Sequence, residues 1–143
     1  MGYCILSDLE TLLPATMLIN LSNDTAGAVA VNQTNVDACI DQADREIDAY
    51  LLLANHSVPM SPVPPLIENL SAKMTIWNLH LRKYFDSKIW SETYKGCLRT
   101  LERIAEGKLT IGQSVDGTTE TAGGGHITST RVQKFTEDFM EQY

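Results

Sequence analysis

Apolar residues recur at steps of three and four over three long stretches of the chain, which is the pattern of amphipathic helices. The spacing predicts helices over residues 34–54, 65–85 and 87–106. The second of them is apolar on two faces, as is typical of a helix enclosed by others. Its link to the third helix is so short that the two are predicted to form an antiparallel hairpin. The pattern therefore predicts a mainly α protein, a small helical bundle with a central helical hairpin.

A proline-rich segment separates the first two long helices. Residues 55–65, called the strap below, hold four of the chain's five prolines. Each proline fixes its own φ and disfavours the α region in the preceding residue, so the strap is predicted to run extended. Pro64 and Pro65 are placed to begin the second long helix.

Shorter elements are predicted before the first long helix. Residues 7–10, Ser-Asp-Leu-Glu, match a capping box, so a short helix is predicted to begin there and to end by Pro14. A second short turn is predicted over residues 15–21, followed by a loop. Thr34 or Asn35 is predicted to cap the first long helix.

The third long helix carries signals at both ends and in its middle. Asp86 or Ser87 is placed to cap its start, and Gly107 is placed to end it. Gly96 inside this helix costs about 1 kcal/mol relative to alanine, so a close approach of two backbones is predicted at that position.

The composition changes after the third long helix. Residues 108–111 and 126–132 have the character of short strands, with a stretch rich in glycine, threonine and serine between them. The sequence thus predicts two parts, a helical domain over residues 1–112 and an extended tail over residues 113–143. The tail ends in residues at roughly helical spacing that are predicted to dock on a partner: Phe135, Phe139, Met140 and Tyr143.

Length and composition are ordinary for one domain. The chain has 143 residues and a hydrophobic content of 43%. It holds no apolar run near the roughly 18 to 20 residues of a membrane span, and its start lacks the features of a secretory signal, so no membrane contact and a cytosolic site of synthesis are expected. The three cysteines are widely spaced and match neither a disulfide framework nor a metal motif, which favours reduced, buried thiols.

The charges are unevenly distributed along the chain. Residues 1–72 carry nine acidic residues and one basic residue, which gives −8, whereas residues 73–108 carry eight basic and four acidic residues, which gives +4. The remaining residues return to −3, for a total of −7. A molecule polarised in this way favours oriented association with copies of itself or with a charged partner.

Two charged edges are the main candidates for an interaction site. Four aspartates at steps of four, three and four lie on one edge of the first long helix, where like charges repel by about a few tenths of a kcal/mol per pair. We call them the acidic edge: Asp37, Asp41, Asp44 and Asp48. The third long helix carries the basic edge: Lys88, Lys95, Arg99 and Arg103.

The acidic edge has two interpretations. It is either a solvated face, or it faces the basic edge of a neighbouring subunit or a polyanion that must slide past without binding. Glutamates are interspersed among the basic residues and no aromatic platform lies between them, so sequence-specific DNA binding is not predicted. On the second interpretation, both edges are subunit-interface residues.

The candidate catalytic residues do not cluster. His56 lies in the strap, His80 in the second long helix and His126 in the tail, and no spacing places two ligands on one helical face. No phosphate-binding glycine loop or nucleophile-elbow motif is present. No catalytic residue, metal or cofactor is therefore predicted. A small metal-dependent hydrolase using His56, His80 and the acidic edge, and a cytosolic regulator built as a helical dimer, are the alternatives from other classes.

Several segments, in their order and spacing, resemble the Mu-like prophage neck proteins, a family long described as a domain of unknown function. They are residues 47–51 (Ile-Asp-Ala-Tyr-Leu), residues 59–66 (Pro-Met-Ser-Pro-Val-Pro-Pro-Leu), Tyr94 and residues 105–112 (Ala-Glu-Gly-Lys-Leu-Thr-Ile-Gly). The resemblance covers about residues 1–112. Residues 131–136, beginning with Arg131, resemble the end of that family, which implies that the tail reaches towards an adjoining neck protein.

The resemblance implies a non-enzymatic structural protein of a phage virion. It implies a head-tail connector, also called an adaptor or head-completion protein, that forms a twelve-fold ring under the portal through which DNA passes. The implied partners are copies of itself, the portal protein and other neck or tail-completion proteins, with double-stranded DNA close by but not specifically bound. The implied location is the virion neck, and the host cytoplasm during assembly. A tail-completion or tail-terminator protein of the same joint is the alternative within this class.

Overall fold

Three long helices pack against one another, and two short helices lie beside them. The computed structural model describes residues 2–111, in which the helices are α1 (Leu6–Leu12), α2 (Ala15–Ser22), α3 (Gln33–Leu53), α4 (Pro65–Arg82) and α5 (Lys88–Ala105). Each of α3, α4 and α5 contacts the other two, and α4 also contacts α1 and α2. The predicted mainly α bundle is confirmed, and each helix predicted within these residues is present.

The helix α4 lies at the centre because its two apolar faces cover different parts of the core. Leu70 and Met74 belong to a cluster built with α3, α5 and the strap. Ile76 and Leu79 belong to a second cluster, built with α1, α2 and the first half of α3. The sequence pattern of two apolar faces thus reflects two separate packing partners.

The two helices α4 and α5 form the predicted antiparallel hairpin. The rings of Trp77 and Tyr94 stack with their centroids 5.9 Å apart, and those of His80 and Trp90 lie 6.2 Å apart. Trp77 comes before His80 along α4, whereas Tyr94, the partner of Trp77, comes after Trp90, the partner of His80, along α5. The two helices therefore run antiparallel.

The strand predicted over residues 108–111 is wrong, because no strand occurs between residues 2 and 111. The Lys108 N–H donates to the Arg103 carbonyl at 2.8 Å and so closes the end of α5. The N–H and C=O groups of a strand pair with those of a neighbouring strand. Here the Lys108 N–H is already used in a hydrogen bond to the end of α5. The second predicted strand, over residues 126–132, and the tail over residues 113–143 lie outside the described residues.

The first short helix begins earlier than the sequence predicts. The helix starts at Leu6, and the Asp8 carboxylate accepts a hydrogen bond from the Ile5 N–H at 2.8 Å. Asp8 therefore takes the role predicted for Glu10, and the predicted cap Ser7 lies inside the helix. Ile5 and Asp8 do not match the Ser/Thr-x-x-Glu/Gln rule, so the rule pointed to Ser7 and Glu10 instead.

The helix α3 also begins earlier than predicted, because Asn32 rather than Asn35 caps it. The Asn32 side chain accepts a hydrogen bond from the Asn35 N–H at 3.2 Å. The Asn35 side chain instead donates to the Ser22 carbonyl at 2.7 Å and holds the end of α2. At α5 the predicted cap is confirmed, since the Ser87 side chain accepts from the Trp90 N–H at 3.4 Å.

The two glycines singled out in the sequence differ in their role. Gly107 has a φ of +76°, a left-handed conformation that ends α5 as predicted. The close backbone approach predicted at Gly96 is wrong for the described part of the chain, because a Cβ added there would meet nothing within 4 Å. The cost of about 1 kcal/mol for a helical glycine is therefore not offset by a contact among residues 2–111.

The strap packs on the bundle and carries no helix or strand before Pro65. Met60 is buried in the core, and Pro64 and Pro65 begin α4 as predicted. The peptide bonds before Pro59 and Pro62 are cis. The strap has no regular helical or strand hydrogen bonding before Pro65. This is expected because its prolines lack an N–H and restrict the backbone of the residues before them.

Candidate subunit interface

The structure divides the acidic edge into two pairs of aspartates. Asp37 and Asp41 are exposed, whereas Asp44 and Asp48 are partly buried. The difference arises because the first residues of the chain lie over the second pair. The predicted face of four equivalent carboxylates therefore contains two that are exposed and two that are partly buried beneath the start of the chain.

Tyr3 anchors the start of the chain to α3 and to the strap. Its backbone N–H donates to the Asp44 carboxylate at 2.8 Å, and its hydroxyl donates to the Asp48 carboxylate. The same hydroxyl accepts from the Met60 N–H at 3.1 Å. Burial, together with the hydrogen bond to Asp48, raises the pKa of Tyr3 to about 12. With 5% of its surface exposed, this side chain joins three segments that are distant in sequence.

Asp44 lies between Tyr3 and the central helix. Its carboxylate accepts a hydrogen bond from the Ser71 hydroxyl of α4 at 2.6 Å, in addition to the one from Tyr3. Burial raises the pKa of Asp44, although both hydrogen bonds act in the opposite direction, and Asp48 and Asp41 add to the increase. The two donors thus stabilise the charged form of Asp44, but burial destabilises that form by more, so its pKa is raised.

We expect the Asp44 carboxyl to make stability depend on pH. A raised pKa means that the folded state binds the proton more tightly than the unfolded state. The stability from this group is therefore full below the ordinary aspartate value of about 3.9, and is lost as the pH rises through the higher pKa of the folded state. Urea unfolding at several pH values measures this effect. The free energy of unfolding of the wild type, minus that of Asp44→Asn, should fall as the pH rises through this window. Two curves that stay parallel there would contradict the assignment.

A groove runs beside the exposed pair of aspartates. We call it the N-terminal groove; it has a volume of about 380 Å³ and is lined by Gly2, Cys4, Ile5, Leu6, Gln33, Asp37, Ile40 and Asp41. Ile5 is 60% exposed at its edge. The Gln33 side chain donates to the Asp37 carboxylate at 2.7 Å. The groove therefore combines apolar walls with two exposed negative charges.

The basic edge lies on the outer side of α5. Lys88, Lys95, Arg99 and Arg103 are all exposed, as the sequence predicts. The buried residues of this helix, including Cys97, lie on its opposite side. Lys95 forms an ion pair with Glu92 at 3.3 Å; both side chains are exposed, so this pair contributes little to stability.

The two charged edges are not brought together within one chain. Successive residues of a helix are about 100° apart, so Asp44 and Glu46 lie on nearly opposite sides of α3. Asp44 faces α4 and the start of the chain, whereas Glu46 accepts a hydrogen bond from the Tyr94 hydroxyl of α5 at 2.6 Å. The acidic edge is thus on the side of α3 that is turned away from α5, and the two edges occupy different sides of the bundle.

The histidines lie in separate places. His80 is buried, donates through Nδ1 to the Ile76 carbonyl at 2.8 Å and stacks on Trp90. His56 lies in the strap, and His126 lies outside the described residues. Among residues 2–111, no group of three or more His, Cys, Asp or Glu side chains is placed to hold a metal ion. The tail residues predicted to dock also lie outside the described part: Arg131, Phe135, Phe139, Met140 and Tyr143.

Periodicity did not reveal two features of this surface. Tyr3 stands outside any helix, so no spacing rule points to its contacts with residues more than forty positions away. Ile89, an apolar residue in the first turn of α5, is 76% exposed. Cys4, Cys39 and Cys97 are buried, reduced thiols, as predicted.

Comparison with known proteins places this small helical bundle in a phage family. A family model described as bacteriophage Mu, Gp36, matches residues 3–129, which is most of the chain. The chain therefore belongs to the bacteriophage Mu Gp36 family, and the resemblance to a Mu-like phage family is confirmed. The comparison with individual curated proteins gave no significant match. Within residues 2–111, no helix has the length and apolar character that crossing a membrane requires.

Proposed function

We propose that this protein is a non-enzymatic structural component of the virion neck, a head-tail connector that forms a ring under the portal. Membership of the Gp36 family supports a phage protein. The observation that carries the finer proposal is the placement of two exposed edges of opposite charge on different sides of one small bundle. Asp37 and Asp41 form one of these surfaces, and the outer side of α5 forms the other.

Surfaces of this kind favour a closed ring over a dimer. When a surface of one copy contacts a different surface of the next copy, the contact repeats from copy to copy and closes if the rotation allows it. A two-fold dimer would instead pair each surface with itself, which here would bring like charges together. The charge pattern thus favours the ring-forming connector over the helical dimer considered as an alternative.

The same arrangement suits a channel for DNA. Binding of DNA phosphate grows with the number of lysine and arginine side chains that contact it. In the proposed ring, the basic edge faces a neighbouring copy, and the chain as a whole carries a net charge of −7. Double-stranded DNA would therefore pass close to the ring without being held. The tail would contact the portal or another neck protein, which leaves the bundle free for contacts between copies.

Native mass spectrometry of the purified full chain, alone and mixed with the portal protein of the same phage, tests the proposal. The expected result is one closed oligomer of fixed subunit number, formed alone or on the portal. Labelled antibody on whole particles should place the chain at the head-tail joint. A chain that stays monomeric or dimeric with the portal present, or that is missing from particles, would refute the connector function.

Purification followed by elemental analysis addresses the hydrolase alternative. Stoichiometric zinc or manganese that is lost on mutation of His56 would favour an enzyme. A preparation free of bound metal that still assembles with the portal would favour the structural function.

A further inference from the structure

The outer face of α5 lacks a partner in the described part of the chain. We call it the α5 outer face; it consists of Lys88, Ile89, Lys95, Gly96, Arg99 and Arg103. Ile89 exposes 76% of its surface, and the four cations spaced along this face are exposed as well. Glu92 lies among them and pairs with Lys95. Gly96 lies seven residues after Ile89, and therefore on the same side of the helix, with nothing within 4 Å of the position that a Cβ would take.

The N-terminal groove has the complementary properties. Its volume of about 380 Å³ is large enough for an aliphatic side chain, and Ile5 and Ile40 supply apolar walls. The exposed carboxylates of Asp37 and Asp41 lie along it. The exposed Ile89 with cations along its helix thus matches a groove that has Ile5 at its edge and two exposed carboxylates beside it.

We propose that the α5 outer face of one copy packs into the N-terminal groove of the next copy, with Ile89 seated against Ile5. The cations of α5 then face Asp37 and Asp41, and Gly96 is the point at which the two backbones come closest. That these contacts close into a ring rests on the proposed function. The contact between two copies can be tested whether or not a ring forms.

Charge complementarity selects a second copy as the occupant. The groove carries two exposed carboxylates that no cation among residues 2–111 pairs with. Of the exposed cations of the α5 outer face, Lys95 pairs with Glu92, whereas Lys88, Arg99 and Arg103 form no ion pair among these residues. The two surfaces lie on different sides of the bundle, so one copy can use both at once. Gly96 also fits, because a glycine on an open helix face allows another backbone to approach closely.

Cross-linking between two single variants tests the contact directly. Full-length Ile5→Cys and full-length Ile89→Cys are mixed and treated with copper-phenanthroline as the oxidant. The expected result is a covalent dimer in the mixture and none in either variant alone, because the three native thiols are buried. A bond in the mixture can form only between copies. Its absence, under conditions where the wild type associates, would refute the contact.

A substitution at Gly96 separates the contact from the fold. Gly96→Leu should raise the Tm by roughly 4 °C, because leucine is the better helix former and the position is open. The same variant should weaken association at least about tenfold, because the side chain fills the closest point of the contact. Asn69→Ala, on the exposed side of α4, is the matched control and should raise the Tm slightly without changing association.

The outcomes distinguish this inference from the proposed function. A closed ring in the wild type, with no cross-link and normal rings for Gly96→Leu, would refute this contact and leave the connector standing. A cross-link without a closed oligomer, even on the portal, would support the contact and refute the ring. A wild type that never associates, together with no cross-link between Ile5→Cys and Ile89→Cys, would refute both.

Discussion

Tyr3→Ala is expected to lower the free energy of unfolding by about 3–5 kcal/mol, in the range measured for truncating buried aromatic residues. The ring belongs to the buried core cluster and lies beside α3 and the strap, so its loss leaves a cavity there. The variant also leaves the Met60 N–H and the Asp48 carboxylate without their shared partner. Urea unfolding followed by far-ultraviolet circular dichroism measures the change.

Two further tyrosine variants show which part of the side chain matters. Tyr3→Phe keeps the ring and removes the hydroxyl, so it should cost about 1–3 kcal/mol, the penalty for leaving partly buried polar groups unpaired. Tyr84→Ala is the control for losing a tyrosine, because Tyr84 is 96% exposed; it should change stability by no more than about 0.5 kcal/mol. Equal effects of Tyr3→Ala and Tyr84→Ala would mean that the start of the chain does not hold the bundle together.

Reversing the charge of the exposed pair, by Asp37→Lys together with Asp41→Lys, is expected to abolish assembly while leaving the subunit folded. Each reversed charge would face the cations of the neighbouring α5, and like charges brought together at an interface cost several kcal/mol. In a ring the same fault recurs at every contact. Both side chains are exposed, so the helical circular dichroism and the Tm of the subunit should change little. Native mass spectrometry with the portal measures the loss of the oligomer.

A second charge reversal supplies the matching control. Arg99→Asp with Arg103→Asp should abolish assembly in the same way, because both residues are exposed on α5. A chain carrying all four substitutions should regain part of its assembly, since each interface again pairs opposite charges. Normal rings from either double variant would exclude these edges from the contact. Failure of the fourfold variant to recover would indicate that the edges affect assembly without facing each other.

The choice of Asp37 and Asp41 depends on the structure. Helical spacing treats the four aspartates of the acidic edge alike, and any two of them would be equivalent targets. Asp44 accepts hydrogen bonds from Tyr3 and Ser71, so a lysine there would disturb the fold as well as any interface. A loss of assembly after changing Asp44 would therefore not separate the two effects.

The approximate positions of the helices could be predicted because the signals are local. The apolar period, the prolines before α4 and the glycine after α5 each act within a few residues of the chain. The predicted caps of α1 and α3 lie two to three residues too late, since more than one position near each start can begin the helix. Asn35 illustrates the choice: its side chain binds α2 and leaves the cap to Asn32. The strand over residues 108–111 was wrong because its local composition does not show whether a partner strand exists.

The sequence by itself determined the helical character, the central hairpin, the strap and the two edges of opposite charge, since all of these follow from the spacing of residues along one helix or from the geometry of proline. The tertiary structure alone decided which aspartates are available to a partner. Tyr3 meets Asp44 and Asp48 across more than forty residues, and contacts over such distances depend on how helices pack rather than on any local period. Packing also placed the acidic edge on the side of α3 away from α5, so that the two charged surfaces lie on different sides of the bundle.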